Sequence, residues 1–380
     1  MKRQPKNDLP LMQTSEGIVL FHPHIPSKAI EKITKTLKTR WIGQGPQVDE
    51  FEARFKFDFD LSGTALAVGS GTDALHIAYL LAGIKKDDEV LTPLFTCTAT
   101  NIPLLYIGAK PIFVDIDPCT LNMSVEDIKK KITPKTKAII CVHYGGLPCD
   151  MDEIHSIAKE YNIPVIEDAA HALGAKYKGK YIGELSEFTM FSFQAIKHLT
   201  TGDGGMLVFK DHDQLRKAQR LRWFGIDRTD KQKGIWENDI QDIGYKYQMT
   251  DIGACLGLAG LDEFDQTLAY RQKLFSLYLD GLKNIPGLTI VNDNDERKEH
   301  AAWLFTVLVD RRTDLQLRLR ENKIESGQTH YRNDRYSIFS DNGIYEGMDK
   351  VDEKYLVLPL HTKMNESDVD KICKVIKMGW

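Results

Sequence analysis

No two cysteines stand at C-x-x-C spacing, and no group of histidines and cysteines has the spacing of a zinc site. The six cysteines (Cys97, Cys119, Cys141, Cys149, Cys255, Cys373) are scattered, and several lie in apolar segments as small core residues do. No metal centre is expected. No run of 18 uninterrupted apolar residues occurs, so no membrane span is expected either. Residues 1–20 carry charges without an apolar stretch leading to a cleavage site, which reads as cytoplasmic. Neither sign of charge dominates. The 50 Lys+Arg and 54 Asp+Glu leave a net charge of −4 without a basic block, which argues against a nucleic-acid surface. Internal repeats and low-complexity stretches are missing too. What remains is a 380-residue chain, 42% hydrophobic and 27% charged, with room for one large domain and a smaller one.

From residue 64 onward, short β-rich runs alternate with helical patterns. Strands are expected at 64–68, 89–94, 111–116, 137–144, 164–168, 189–193 and 205–209, with helices at 71–81, 98–106 and 150–161 between them. The strands lack polar alternation, as strands covered by helices on both faces do. Strand, helix, strand at this spacing gives right-handed crossovers and a mostly parallel sheet, so this half is α/β. A single long helix over 261–282 follows, and the pattern then turns α+β. Strands are expected at 288–291 and 303–309, and helices at 314–322 and 367–377, with Ser367 as N-cap. The expected division is an N-terminal segment 1–30, a large α/β domain 31–262 and a small α+β domain 263–380. Residues 229–239 and 332–350 read as long loops.

One lysine stands out. Lys197 lies in the mostly uncharged run Phe191-Ser192-Phe193-Gln194-Ala195-Ile196-Lys197, just before Thr200-Thr201-Gly202-Asp203-Gly204-Gly205. Weakly polar surroundings lower a lysine's pKa toward the range where its amine attacks carbonyls, as a pyridoxal phosphate (PLP) Schiff base requires. The plain alternative is a surface lysine. Ser70-Gly71-Thr72-Asp73 lies where a strand turns into a helix, and first-turn amides there suit a phosphate; the alternative is an ordinary turn capped by Thr72. Glu167-Asp168-Ala169-Ala170-His171 closes an apolar strand, and ligands of open α/β sheets bind at such carboxyl ends. Asp168 there can pair with a pyridine nitrogen, and His171 can hydrogen-bond or stack on the ring. The alternatives are a helix N-cap and a buried, satisfied histidine. Ser192, five residues before Lys197, is spaced to reach a phosphate. The combination of phosphate turn, strand-end aspartate and a lysine 29 residues later points to PLP.

At these residues the chain resembles the DegT/DnrJ/EryC1/StrS sugar aminotransferase family of PLP enzymes, which have the aspartate aminotransferase fold (fold type I). The resemblance covers most of the chain, from Trp41-Ile42-Gly43-Gln44-Gly45-Pro46 through Gly69-Ser70-Gly71-Thr72, Gly108-Ala109-Lys110-Pro111, Glu167-Asp168-Ala169-Ala170-His171 and Phe191-Ser192-Phe193, to Leu358-Pro359-Leu360-His361. It implies that Lys197 carries the Schiff base, that Asp168 pairs with the pyridine nitrogen and that His171 lies near the 3-hydroxyl. Gly71, Thr72 and Ser192 would hold the phosphate. It also implies a homodimer with active sites at the interface. Where relatives have G-Y-N-Y-R, with an asparagine on the neighbouring subunit's phosphate, this chain has Gly244-Tyr245-Lys246-Tyr247-Gln248, so Lys246 would contact that phosphate or an anionic substrate. Relatives place an aromatic ring over PLP after P-x-x-T; here Cys97 follows Pro93-Leu94-Phe95-Thr96, which leaves the stacking partner open.

One branch of the family carries histidine at the Schiff-base position and dehydrates. Here the fifth residue after Ser192 is Lys197 and His198 comes one later, which is the aminotransferase register. The resemblance therefore implies transfer of an amino group from glutamate or glutamine to a keto-sugar. The expected acceptor is a nucleoside-diphosphate-linked 3- or 4-keto-6-deoxy sugar, for surface polysaccharide or glycoconjugate biosynthesis. Other readings are an acceptor that is a small phosphorylated or free keto-sugar, and a PLP-binding regulatory protein without turnover. Candidate substrate contacts are His330, Tyr331 and Arg228, with Arg222, Arg332 and Arg335 beside them; the plainer and favoured reading of each arginine is a solvated surface charge.

Overall fold

Runs such as Thr64–Val68 and Gly205–Phe209 offer almost nothing to water, and every residue of both is buried in the structure. The structure is a computed structural model that describes residues 9–380 apart from 238, 242 and 340. Residues 1–8 of the expected N-terminal segment, and residues 238 and 340 of the two expected long loops, lie outside the described residues.

The main sheet has seven strands: β1 (Thr64–Val68), β2 (Glu89–Pro93), β3 (Lys110–Val114), β4 (Thr136–Val142), β5 (Val165–Asp168), β6 (Phe188–Ser192) and β7 (Gly205–Phe209). Their order is β1-β7-β6-β5-β4-β2-β3, and every pairing is parallel except the two that β7 makes with β1 and β6. Successive side chains point to opposite faces of a strand, so each strand feeds two cores. Leu66, Val68 and Ile140 pack with Ala74, Leu75 and Ala78 of the helix Gly71–Leu81. Ala65, Ala67 and Ile139 pack on the other face with Phe51, Phe55, Ile154 and Leu258. The α/β fold with a mostly parallel sheet is as expected.

The second half is built on the antiparallel strands β8 (Leu288–Ile290), β9 (Phe305–Val309) and β10 (Tyr355–Leu358), in the order β8-β9-β10. Leu274, Tyr278, Phe305, Leu315, Leu356 and Ile372 form its core, drawn from β9, β10 and the helices Phe264–Gly281, Arg312–Glu321 and Glu366–Lys377. The N-terminal segment crosses to this half. Ile18 and Ile324 form a parallel bridge, and the Glu325 carboxylate accepts the amides of Met12 at 3.0 Å and Leu20 at 2.7 Å.

Several elements differ from expectation. The stretches expected as long loops carry the short helices Arg228–Gln232 and Glu346–Val351. The single helix over 261–282 is two helices, Asp251–Asp262 and Phe264–Gly281, broken at Glu263, whose carboxylate accepts the Ser27 amide at 3.0 Å. Asn365 rather than Ser367 caps the last helix, because Asn365 and Asp368 bond each other's backbone amides in a capping box. The strand expected from 303 starts at Phe305, since Trp303 and Leu304 both turn their amides onto the Gly145 carbonyl at 3.0 Å. Among the described residues no helix is long and apolar enough to cross a membrane. The carboxylates of Asp150, Asp293 and Asp295 do come together, but Lys298 and Arg297 neutralise them.

Candidate active site

The carboxyl ends of β1, β5 and β6 converge on a cavity of about 1100 Å³. Gly71, Thr72, Asp168, His171, Ser192, Lys197, His330 and Tyr331 all line it. The structure thus brings eight of the ten sequence-derived candidates to one place.

The helix Gly71–Leu81 points its N-terminus at this cavity. Ser70, not Thr72, caps it: Ser70 Oγ accepts the Asp73 amide at 3.1 Å and the Ser70 carbonyl accepts the Ala74 amide at 3.2 Å. The amides of Gly71 and Thr72 are left without an acceptor among the described residues, beside the Ser192 hydroxyl. Backbones also press close here. A Cβ at Gly205 would lie 2.5 Å from the Ser70 carbonyl oxygen, so only glycine lets the turn after Lys197 approach the helix start. Open amides, a hydroxyl and a helix N-terminus fit the phosphate of PLP.

Lys197 rides on the loop between β6 and β7. The loop is closed at its base by Phe193 N–H to the Gly204 carbonyl (2.8 Å) and Thr201 N–H to the Phe193 carbonyl (2.9 Å), and Lys197 N–H donates to the Gln194 carbonyl (2.9 Å). Burial lowers the Lys197 pKa to about 8, although Asp168 and Cys97 pull it up. A free amine is therefore accessible near neutrality.

Asp168 ends β5. Its Oδ2 accepts the Thr100 hydroxyl at 2.7 Å and its Oδ1 the Ala170 amide at 3.1 Å. Burial raises its pKa, opposed by Thr100, by Ala170 and by the positive charge of Lys197. The preceding residue, Glu167, points to the other face and pairs with His143 at 2.8 Å. One strand end thus carries a structural carboxylate and a cavity carboxylate side by side.

His171 accepts the Gly145 amide on Nδ1 at 3.3 Å, and its Nε2 lies 3.3 Å from His330 Nε2. Burial, then Lys197, push the pKa values of both rings far down, to about 3 for His330. Both imidazoles are neutral, and the Gly145 contact fixes the proton of His171 on Nε2. A carboxylate for a ring nitrogen, a neutral imidazole, a phosphate cradle and a low-pKa amine together fit PLP.

Two candidates lie outside the cavity. Lys246 Nζ lies 5.3 Å from the Phe224 ring centre, and Arg228 donates to the Gln44 carbonyl at 2.6 Å. Arg222 is held by Glu52 at 2.7 Å, Arg332 by Asp334 at 2.8 Å and Arg335 by Asp352 at 2.5 Å. Phe95 packs away from the cavity on Tyr144 and Tyr355, and Cys97 takes the wall position instead.

Other residues at the site carry no sequence signal of their own. Trp303 lines the cavity, its ring centre 3.8 Å from that of His171 and its indole N–H donating to the Ile196 carbonyl at 3.2 Å. Asn333 is fully buried. Its backbone amide donates to the Leu94 carbonyl (2.7 Å), its Nδ2 donates to the Thr96 carbonyl (2.8 Å) and its Oδ1 accepts from Asn101 Nδ2 (3.0 Å), so the His330–Tyr331 loop is tied to the end of β2. Thr100 is the third, one helical turn past Thr96.

Comparison with known proteins agrees with this geometry. The chain is 38% identical over 318 residues to GDP-perosamine synthase of Escherichia coli O157:H7, covering 83% of this chain and 85% of that one. It is 33% identical over 371 residues to the spore coat polysaccharide biosynthesis protein SpsC of Bacillus subtilis (strain 168), covering 93% and 95%. Its fold matches the crystal structure of the sugar aminotransferase CalS13 from Micromonospora echinospora with a TM-score of 0.91, at 31% identity and with 96% and 100% of the two chains covered. A family model matches residues 23–377, and the chain belongs to the DegT/DnrJ/EryC1/StrS aminotransferase family.

Proposed function

We propose that this aminotransferase binds PLP in the cavity and moves an amino group from glutamate or glutamine to a keto-sugar. The acceptor is a 3- or 4-keto-6-deoxy sugar on a nucleoside diphosphate, made for surface polysaccharide or glycoconjugate biosynthesis in the cytoplasm. The relation to GDP-perosamine synthase and to SpsC supports this acceptor class. The observation that carries the proposal is the buried Lys197 amine, which shares one cavity with Asp168 and with the unused amides of Gly71 and Thr72.

When bound, PLP supplies the electron withdrawal that lets a proton leave the donor's α-carbon. The protein supplies position and proton traffic. Gly71, Thr72 and Ser192 would anchor the phosphate, and Asp168 would hold a positive charge at the ring nitrogen. Lys197 Nζ would move the proton from the donor's α-carbon to the cofactor's C4′ in the first half-reaction, and from C4′ to the acceptor carbon in the second. His171, its Nε2 directed at His330, would lie as a neutral ring near the 3-hydroxyl. His330 and Tyr331 face the acceptor from the small half, and a homodimer would bring Lys246 and Arg228 toward the partner's cavity. In the test, PLP-loaded protein is mixed with L-glutamate and the visible cofactor band is followed; the pyridoxamine form then meets keto-sugar nucleotides or small keto-phosphates. A band indifferent to every amino donor would sink the transaminase reading. Turnover of small keto-phosphates alone would replace the nucleotide-linked acceptor.

A further inference from the structure

The Lys197 amine lies over the face of Trp303, and the reaction as derived leaves that face without a role. Lys197 Nζ lies 3.7 Å from the indole centre, and the His171 ring stacks on the same indole at 3.8 Å with 19° between planes. Neither position leaves room for the other on one side, so amine and imidazole occupy opposite faces. The indole cannot drift. Its N–H is bonded to the Ile196 carbonyl, its backbone amide to the Gly145 carbonyl at 3.0 Å, and its own carbonyl accepts from Arg271 at 2.8 Å. Only 1% of the residue is exposed.

We propose that Trp303 is a positioning residue for Lys197, its ring face holding the proton-bearing amine in place while that amine is not bonded to PLP. An ammonium is attracted to the negative face of an aromatic ring, most strongly to indole and most strongly when water is excluded. When Nζ takes a proton it becomes an ammonium above this face; when it returns the proton the attraction lapses. The amine is thus steadied in the state that carries the proton. The other groups facing it are Asp168 and Cys97, which favour the charge, and the neutral His171 and His330; His198, next in the chain, is turned to the Ala301 carbonyl at 2.7 Å, with Arg271 beyond it. The inference rests on the reading of Lys197 as the reacting amine.

The test compares Trp303→Phe, which keeps a ring, with Trp303→Leu and Trp303→Met, which keep bulk without one. In cofactor-free protein the pH midpoint of Lys197 modification by formaldehyde and cyanoborohydride is read by peptide mass spectrometry. The ring-free variants are expected to titrate about half a unit to one unit lower than the parent, with the phenylalanine variant between them. In PLP-loaded protein they lower kcat without moving KM for L-glutamate. A midpoint that stays or rises in both ring-free variants overturns the proposal, because loss of burial alone would raise it. Two such variants guard against one failing to fold. Failure of the parent to bind PLP would sink the functional reading separately, while the cofactor-free titration still decides the role of Trp303.

Discussion

The two halves of the cavity are built differently. On the large-domain side each functional group sits where a strand ends or a helix begins: Asp168 closes β5, Ser192 closes β6, and Gly71 and Thr72 open the helix after β1. On the small-domain side Trp303, His330 and Tyr331 sit in irregular chain, held by contacts to distant segments. The first half inherits its geometry from the sheet. The second depends on a few polar clasps, chiefly Asn333 with Leu94, Thr96 and Asn101. The contrast suggests a division of labour. On the proposed reading the rigid half would hold PLP and serve both half-reactions, whereas in the clasped half Trp303 faces the Lys197 amine and His330 and Tyr331 would meet the acceptor.

The largest effect should come from the rigid half. Lys197→Ala removes the proton carrier and should lower the glutamate half-reaction by about 10⁴-fold or more, followed as loss of the visible cofactor band. In the parent, the rate should climb with pH and pass its half-maximum near pH 8, since the free amine forms as its proton leaves around the lowered pKa. A half-maximum reached only near pH 10 would mean that burial does not tune this amine. Asp168→Ala should come next, at about 10²- to 10³-fold, because a buried compensating charge is lost. Both variants should slow both half-reactions alike.

Asn333→Ala probes the other half. It leaves the backbone bond to the Leu94 carbonyl in place but strands the buried Thr96 carbonyl and one N–H of the Asn101 side chain, and should cost about 1–3 kcal/mol of stability. Its kinetic signature should be selective: KM for the acceptor rises several-fold while the glutamate half-reaction stays within about twofold, measured in single turnovers. Equal damage to both half-reactions would erase the division between the halves.

The same contrast explains what could be read before the fold was seen. Ser192 and Lys197 are fixed within one strand-and-turn unit and Asp168 ends the neighbouring parallel strand, so local periodicity and the rule of carboxyl ends were enough to group them. Strand limits slipped by a residue or two for local reasons, as where Gly145 captures the amides of Trp303 and Leu304. Trp303 and Asn333 could not be read, because their partners Ile196 and Leu94 lie more than 100 residues away in the chain. The orientations of Phe95 and Cys97 belong to a turn, where period-2 alternation no longer holds. Lys246 and Arg228 stand outside the cavity.

The smallest expected effect tests how far the sheet alone sets the rigid half. Ser70 caps the helix Gly71–Leu81, and its hydroxyl takes the Asp73 amide while leaving those of Gly71 and Thr72 to the phosphate. Ser70→Ala frees one more amide at the same helix end and should lower stability by about 1 kcal/mol, a shift of roughly 2–4 °C in Tm. PLP affinity should change by less than tenfold, because the two amides that face the cavity keep their direction through the backbone contact between Ser70 and Gly205. Thermal melting with and without PLP separates the two quantities. A loss of affinity larger than the loss of stability would mean that the cap aims those amides, and that even the rigid half relies on a single side-chain clasp.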